Sequence, residues 1–394
     1  MRVDNKLTYY NIYDLFISAE KNYLMLGWYL LIRTRTFNLH APAQRSYLRW
    51  VPGKIIKVYR VIRIIYRLFI LKNIYRNNRN NRNQFIQVPF EGHITLETCN
   101  GYKVFDLQKR VVVTQYELGY KEEMFNQVAR GFKAVSEYGV SASLKWIDYK
   151  NKCIYEEYLN LYRADPFFPF STYFYNHILP VWERNLTLFP MKKVDARTYI
   201  LQQRSFITNS IEQLKSKGYD QDKLVYIDNF ANKLTERLLT REGQESIYLS
   251  LTHGDMHFKN ILLGKKYGLM IDCNTFEERS IFHDLCFMFF YHLIKKPSID
   301  SIDLINKLEG YAKWSIVKND WGEYCPTFAA VKFYRQLFYL EHIVTAFEFN
   351  INIYVEEHTQ GESELSYWNH VIKVIDNADR KQILIDLKND KVAN

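Results

Sequence analysis

The stretch Ser250–Phe276, "SLTHGDMHFKNILLGKKYGLMIDCNTF", combines short apolar runs with polar residues that can take part in chemistry. The runs before His253 and on either side of the Gly264–Gly268 segment have the length and composition of short strands. Each run leads into a polar loop, so the sequence predicts short strands that place polar side chains at their ends. Three of these side chains carry oxygen donors: Asp255, Asn260 and Asp272.

This set of donors suits the transfer of a phosphoryl group. Such a transfer needs little covalent chemistry from the protein, and catalysis depends on positioning and on charge neutralisation by a metal ion. One carboxylate beside the acceptor hydroxyl, one neutral oxygen ligand and a second carboxylate for Mg²⁺ meet that need. Two alternatives are surface polar residues with no shared role and a zinc site at His253 and His257. Gly254 between the two histidines favours a loop over a single helical face and so disfavours zinc.

The order and spacing of these residues resemble the aminoglycoside phosphotransferase and choline kinase superfamily, whose fold is that of the protein kinases. The family pattern is HGDxHxxN, then an apolar-apolar-Asp strand end, then Asp-Leu at the start of a helix. The matching residues are His253, Gly254, Asp255, His257, Asn260, Met270, Ile271, Asp272, Asp284 and Leu285. The resemblance covers about Gly92–Asn350.

By this resemblance the protein uses ATP and Mg²⁺. Asp255 accepts or orients the proton of the substrate hydroxyl, and His257 lies near the transferred group. Asn260 and Asp272 bind Mg²⁺ against the nucleotide phosphates. His253 and Asp284 brace the catalytic loop.

The resemblance also implies an α+β, bilobal protein-kinase-like fold with a small antiparallel-sheet N-lobe over residues 91–160 and a mainly helical C-lobe over 161–394. Period-two segments predict three strands in His93–Glu117 and two more in Ser143–Leu161. Apolar residues at helical spacing between them predict a helix that ends near Gly139.

The nucleotide clamp departs from the family pattern, because the third strand, "RVVVTQYE", contains no lysine. Lys103 on the preceding strand, or Lys121 at the helix entrance, is the candidate substitute. Glu123, or its neighbour Glu122, is the candidate partner on the helix. Glu156 falls in the segment expected to contact adenine through its backbone. These departures leave a catalytically degenerate, kinase-like binding or scaffold protein as the alternative function.

The first 90 residues are strongly basic, whereas the rest of the chain is nearly neutral. Residues 1–90 hold 16 Lys and Arg against 3 Asp and Glu, whereas the remaining residues hold 37 against 40. Basic residues recur every three or four positions from Lys54, with apolar residues between them, and this predicts an amphipathic helix in a basic N-terminal arm over 1–90. Residues 54–82 would suit an anionic membrane surface; packing on the protein itself and nucleic acid are the alternatives. Nucleic acid is disfavoured, because no reader motif is present and the rest of the chain is not basic.

The remaining features favour a cytoplasmic protein that is peripheral to the inner face of a membrane. The five cysteines lack CxxC spacing, and the first residues lack the apolar core and cleavage site of a secretory signal. The apolar stretch Asn22–Ile32 is about half the length needed to span a bilayer. HGD in place of HRD points, by family likeness, to a hydroxyl on a small molecule or saccharide. The charge division suggests a membrane-associated or envelope glycan precursor as the acceptor.

Overall fold

The computed structural model describes residues 7–13, 15–37, 39, 51–75, 85–98, 101–117, 120–164, 171–241, 245–264, 268–295, 301–318, 326–327, 330–348 and 365–377. The chain divides into two units. Unit 1 comprises Met1–Asp165 and Lys259–Asn274, and unit 2 comprises Pro166–Phe258 and Thr275–Asn394.

Unit 1 contains an eight-stranded antiparallel sheet. Its strands are β1 (Leu7–Ile12), β2 (Leu15–Ser18), β3 (Phe85–Val88), β4 (Ile94–Thr98), β5 (Gly101–Asp106), β6 (Val111–Tyr116), β7 (Leu144–Asp148) and β8 (Cys153–Glu157). Their order in the sheet is β3-β1-β2-β4-β5-β6-β8-β7. A mixed α and β architecture with an antiparallel sheet is therefore present, as the sequence predicts.

The central strands and one helix of unit 1 follow the sequence prediction closely. Strands β4, β5 and β6 form the predicted meander, and β7 and β8 form the predicted pair. The turn between β5 and β6 is held by Asp106, whose side chain accepts from the N–H groups of Gln108 and Lys109. Helix α3 (Glu122–Glu137) buries an apolar stripe, and Gly139 follows it with a left-handed φ of 64°.

The first 90 residues differ from the predicted helical arm. Strand β1 pairs with β3 through Leu7↔Val88, and β2 pairs with β4 through Phe16↔Thr95, so both lie inside the sheet. The prediction that residues 1–90 form a basic helical arm ahead of the sheet is therefore wrong for the parts that form β1 and β2. These strands are only six and four residues long, so their sequence pattern is weak. They pair with each other locally, but their positions in the sheet depend on pairing with β3 and β4 across about 80 residues.

Two helices of the same segment pack on the sheet. Helix α1 (Tyr23–Ile32) begins at Asn22, whose side chain accepts from the N–H groups of the first turn. Helix α2 (Gly53–Tyr75) is the predicted basic helix, although residues 76–82 of the prediction lie outside the described residues. The buried faces of both helices join one apolar core, with Leu26, Leu30, Val61, Ile64 and Leu68.

A small second sheet completes unit 1. Strand β12 (Ile261–Leu263) lies between β13 (Gly268–Met270) and β9 (Tyr162–Arg163). The N–H of Met270 donates to the carbonyl of Val140 at 2.8 Å, which attaches the hairpin to the segment after α3. The hairpin thus belongs to unit 1, although the sequence prediction assigns all of 161–394 to the helical lobe.

Unit 2 is mainly helical and contains one three-stranded sheet, β10 (Lys192–Asp195), β11 (Ser246–Thr252) and β14 (Glu277–Ser280). A short π-helix at Phe174–Ile178 precedes the helices α4 (Leu179–Leu188), α5 (Ala196–Ser216), α6 (Gln221–Leu239), α7 (His283–Lys295), α8 (Ser301–Lys318), α9 (Ala330–Ala346) and a final helix, 365–377. The many helices agree with the mainly helical character predicted for this part of the chain.

Two further features of the described residues concern the cysteines and the length and polarity of the helices. Cys153, Cys273 and Cys286 are buried free thiols. Within the described ranges, every helix is too short or too polar to cross a bilayer.

Candidate active site

The HGD loop of unit 2 begins where β11 ends, and its backbone is fixed from several sides. His253 is fully buried, and its Nδ1 accepts from the N–H of Asp255 at 3.3 Å. The hydroxyl of Thr275 donates to the carbonyl of His253 at 2.6 Å. His253 therefore braces the loop, as the resemblance implies.

Only glycine fits easily at position 254. Gly254 has a left-handed φ of 78°, and a Cβ added there would lie 2.8 Å from the carbonyl oxygen of Thr275. Arg279 approaches the same point, since its Nη1 would be 2.9 Å from that Cβ. The glycine of the motif thus serves both a backbone conformation and a close approach to the 275–279 segment.

Asp284, in the first turn of α7, holds the HGD loop through hydrogen bonds to its backbone. Its two carboxylate oxygens accept from the N–H groups of His253 and Gly254 at 2.7 and 2.9 Å. Burial raises the pKa of Asp284, but the nearby ring of His283 and the His253 backbone outweigh this, and the pKa lies below its usual value. Asp284 is therefore a structural anchor of the loop, as predicted.

Asp255 and His257 share the outer part of this loop. The side chain of Asp255 is 42% exposed, and its Oδ1 lies 3.6 Å from Nε2 of His257. The ring of His257 lies 4.9 Å from that of Tyr291, centroid to centroid. Burial and then the charge of Asp255 raise the pKa of Tyr291, which places the tyrosine in the field of the carboxylate. The Asp255 carboxylate is thus accessible to solvent, while hydrogen bonds hold the backbone of its loop.

The predicted metal ligands lie on the β12–β13 hairpin of unit 1. Asn260 immediately precedes β12 and is buried, and Asp272 follows β13 by two positions. The N–H of Ile271 donates to the carbonyl of Asn260 at 2.9 Å, so Asn260 and Asp272, the two predicted ligands, lie at adjacent ends of one hairpin. Asp272 has a left-handed φ of 65°, a strained conformation for an aspartate that often marks a functional position.

Lys103 reaches the carboxylate of Asp272. Its Nζ lies 2.9 Å from Oδ1 of Asp272, which also accepts from Nδ2 of Asn274 at 2.7 Å. The hydroxyl of Tyr116 donates in turn to Oδ1 of Asn274 at 2.6 Å. Burial lowers the pKa of Lys103, but the charges of Asp272 and Glu156 more than offset it, so the pKa is raised and the side chain is held as a cation.

Glu156 lies on the same face of the sheet as Lys103. The register pairs Lys103 with Thr114 and Val112 with Glu156, and two steps along β6 return to the same face. Glu156 is 8% exposed, and burial raises its pKa to about 7, against the lowering effect of Lys103. Its side chain therefore belongs to the charge cluster of Lys103 and Asp272, whereas the predicted adenine contact of its backbone stays a prediction.

Glu123 does not take the predicted place beside Lys103. It is an exposed residue of the first turn of α3, and the ion pair that Lys103 forms among the described residues is with Asp272. Glu156 from β8 supplies the second carboxylate of the cluster instead. The pairing of β8 with β6 cannot be predicted from a local sequence pattern.

Sequence reasoning also missed Arg163. It lies on β9, paired with Leu262 of β12, and is therefore next to the hairpin that carries Asn260 and Asp272. Burial lowers the pKa of Arg163, and the charge of Asp272 opposes that effect. Unit 1 therefore directs two cations, Lys103 and Arg163, toward the Asp272 carboxylate. The R in "LYRAD" carries no signal by itself, because only strand pairing makes it a neighbour of the hairpin.

The donor set of the hairpin fits Mg²⁺. Asn260 and Asp272 offer an amide and a carboxylate oxygen, which a hard cation prefers, and the adjacent lysine and arginine suit phosphate oxygens. In the part of the chain that the structure describes, no three His, Cys, Asp or Glu side chains form a group able to bind a metal, so the zinc alternative gains no support. Asp255 belongs to unit 2, whereas Asn260 and Asp272 belong to unit 1.

No protein-family model matches the sequence, and no curated protein matches it significantly. Among solved structures, the chain is similar to a choline kinase from Cryptosporidium parvum Iowa II, with a TM-score of 0.44 and 14% identity over 80% of this chain and 97% of that one. It is similar to an ethanolamine kinase from Plasmodium vivax, with a TM-score of 0.47 and 11% identity over 91% and 94%. It is also similar to the ADP-bound aminoglycoside phosphotransferase APH(2'')-Ib, with a TM-score of 0.42 and 11% identity over 77% and 98%.

These proteins are choline and ethanolamine kinases and aminoglycoside phosphotransferases, the group that the HGD motif resembles. Each likeness is distant. The function is therefore inferred from the residues of the chain itself.

Proposed function

We propose that the protein transfers a phosphoryl group from ATP to a hydroxyl of a small molecule or saccharide. The observation that carries this proposal is the contact of Lys103 with Asp272 at the hairpin end where Asn260 also lies. A lysine, a carboxylate and an amide oxygen at one point form the combination that binds a metal-bound phosphate chain. Units 1 and 2 would correspond to the N-lobe and C-lobe of a protein-kinase-like fold.

The nucleotide side of the reaction belongs to unit 1. Asp272 and Asn260 would hold Mg²⁺, which neutralises the charge of the phosphates when bound. Lys103 and Arg163 would contact phosphate oxygens, and the charge of Glu156 would help to keep Lys103 protonated. The bond from Asn274 to Asp272 fixes one carboxylate oxygen, which leaves less freedom for the carboxylate to rotate.

The acceptor side belongs to unit 2. Asp255 would accept a hydrogen bond from the substrate hydroxyl and take its proton, and its exposure permits this approach. His257 lies close enough to Asp255 to orient it. The rigid backbone around Gly254 keeps the carboxylate in one place, which is the main contribution a protein makes to phosphoryl transfer.

A non-catalytic, kinase-like binding protein is the second candidate. The observation that favours it is Thr114, which stands opposite Lys103 on β6, the strand where the family carries its lysine. Lys103 must therefore reach the phosphates from β5. If it could not, nucleotide would bind weakly or in an unproductive position.

We also propose that the protein works at an anionic membrane surface, where its acceptor would be a lipid-linked or envelope saccharide. The proposal is supported by the basic residues of α2 and by the division of charge along the chain.

Titration calorimetry with ATP and Mg²⁺ tests the kinase proposal on the full-length protein. We expect Mg²⁺-dependent affinity that Asp272→Asn abolishes. Asp255→Asn should keep this affinity and lose phosphoryl transfer to an accepted hydroxyl, found by screening metabolites and glycans. Equal affinity with and without Mg²⁺, or no affinity in the native protein, would contradict the proposal. Binding without transfer in the native protein across the screen would favour the second candidate.

A further inference from the structure

Helix α2 has two apolar faces. One face is buried in the core of unit 1 through Ile56, Val61, Ile64 and Leu68. The other is exposed, and it repeats at alternating steps of four and three residues. Its members are Ile55, Tyr59, Ile62, Tyr66 and Phe69. An exposed apolar row of this length on a helix already packed against its own protein needs a partner to explain it.

Helix α1 lies beside α2 and adds further exposed apolar residues to this surface. The rings of Tyr23 and Phe69 meet edge to face at 6.5 Å, and Gly27 lies beside Ile65, so the two helices run antiparallel and side by side. Both bury their opposite faces in the same core, so their outer faces point away from it together. On α1 the outer face carries Leu24, 85% exposed, and Trp28, 58% exposed. We call the exposed apolar residues of α1 and α2 the outer face.

Basic side chains flank the outer face. Lys54, Arg63 and Arg67 of α2 are exposed. Arg63 and Arg67 lie over the ring of Tyr13, at 5.3 and 4.6 Å, which holds both guanidinium groups along one border. From Lys21 to Phe90 the chain has 14 Lys and Arg and no Asp or Glu.

The combination of an exposed apolar face with basic borders favours one kind of binding partner over the others. A second copy of the chain would bring the same unbalanced basic borders together, which costs energy. A nucleic acid would offer its phosphates to the basic borders but would leave the aliphatic side chains of Leu24 and Ile62 without apolar contacts. A bilayer with anionic headgroups satisfies both features, since apolar side chains enter the acyl boundary while Lys and Arg remain at the headgroups.

We infer that the outer faces of α1 and α2 together form a membrane-docking surface, with Trp28 and Ile62 inserted and with Arg63 and Arg67 on the anionic headgroups. The inference gives a specific surface to the proposed membrane association and does not depend on the kinase chemistry. It also adds α1 to the segment 54–82 that the charge pattern indicates.

Flotation of the full-length protein with vesicles tests the surface. We expect binding to phosphatidylcholine vesicles that contain phosphatidylserine, weaker binding to phosphatidylcholine alone, and weaker binding at high salt. Arg63→Gln with Arg67→Gln should lower the affinity by about 25-fold, at about fivefold for each charge. Trp28→Ser with Ile62→Ser should lower it by roughly tenfold or more.

Leu201→Ser with Val225→Ser is the matched control. Both residues are exposed apolar positions on helices, α5 and α6, at 43% and 44% exposure, and neither belongs to the outer face. The control should bind as the native protein does. Circular dichroism and urea unfolding without vesicles verify that each variant is folded.

Three results would overturn the inference: no binding to anionic vesicles, equal loss in the control and in the Trp28→Ser/Ile62→Ser variant, or self-association through the outer face in sedimentation without vesicle binding. A protein that docks but fails to bind nucleotide would contradict only the kinase proposal. One that binds nucleotide with Mg²⁺ but ignores vesicles would contradict only the docking surface.

Discussion

Replacing Lys103 by Met tests the charge cluster directly. The ammonium is 2.9 Å from Asp272 and also faces Glu156, so its loss leaves two carboxylates without their main cation. Removing one partner of a buried ion pair costs about 3–5 kcal/mol. Because the side chain of Asp272 is 38% exposed, solvent screening reduces this, and we expect a loss of about 2–3 kcal/mol of unfolding free energy at neutral pH.

The loss should depend on pH in a defined direction. The pKa of Glu156 is raised to about 7 in the folded protein, from an ordinary value of 4.5. The protonated carboxyl therefore favours folding, and this contribution disappears as the pH rises through about 7. Without Lys103 the pKa of Glu156 in the folded protein rises further, because Lys103 lowers it. The folded variant then resists ionisation of Glu156 more strongly, so the destabilisation by Lys103→Met should grow between pH 6 and pH 8.

Urea unfolding of four proteins measures these effects: the native protein, Lys103→Met, Lys103→Met with Glu156→Gln, and Lys109→Met. The double variant should recover the part of the lost stability that is due to Glu156, because a glutamine at position 156 carries no charge that needs a compensating cation. It should recover neither the part due to Asp272 nor nucleotide affinity. Lys109 is a matched control, since it is 67% exposed and its ion pairs are 3.7 Å long. A loss below about 0.5 kcal/mol, or a double variant no more stable than the single one, would refute the role of Lys103 as the compensating cation.

Three further predictions concern the frame around the site. Gly254→Ala should lower the unfolding free energy by about 2–4 kcal/mol in chemical denaturation, because its Cβ would meet the carbonyl of Thr275 in a left-handed backbone; an unchanged midpoint would contradict this. Asp284→Ala leaves two buried N–H groups without their acceptor, so a loss of about 3 kcal/mol and faster hydrogen exchange in the HGD loop are expected, and native-like exchange would count against the anchor. Burial lowers the pKa of His93 to about 4, and its Nδ1 accepts from the N–H of Leu107. The neutral form of His93 therefore stabilises the fold above pH 6.5. This stabilisation, about 3 kcal/mol, is lost as the pH falls toward 4. His93→Gln should flatten this acid-side slope in urea unfolding, and an unchanged slope would show that His93 is not its source.

Local patterns in the sequence predict much of the fold. The meander β4–β6, helix α3, the pair β7–β8 and the strands of the Ser250–Phe276 stretch all show their period within a few residues. The motif likewise predicts the bracing role of Asp284, because its spacing after Asp272 follows the family pattern. These features share short-range signals such as alternation, caps and turn residues.

Long-range pairing accounts for what the sequence did not predict. The pairing Leu7↔Val88 draws β1 into the sheet from a segment that reads as a basic helical arm. Glu156 joins Lys103 only because β6 lies between β5 and β8, and Arg163 reaches the Asp272 hairpin only through β9. None of these neighbours is visible from spacing, since each depends on which strands pair.

The placement of β1 and β2 between β3 and β4 has a consequence for how the protein would respond to ligands. The outer face cannot be cut away as a separate module, because deletion of residues 1–82 would remove two strands from within the sheet that carries Lys103. Phe105, two residues from Lys103, lies in the same apolar core as Leu26 and Val61 of the two helices. By thermodynamic linkage, any surface that binds α1 and α2 in the folded state also stabilises the strand that would hold the nucleotide. Binding of a membrane to α1 and α2 would then be coupled to the stability of the nucleotide-binding strand, because both depend on the same folding equilibrium.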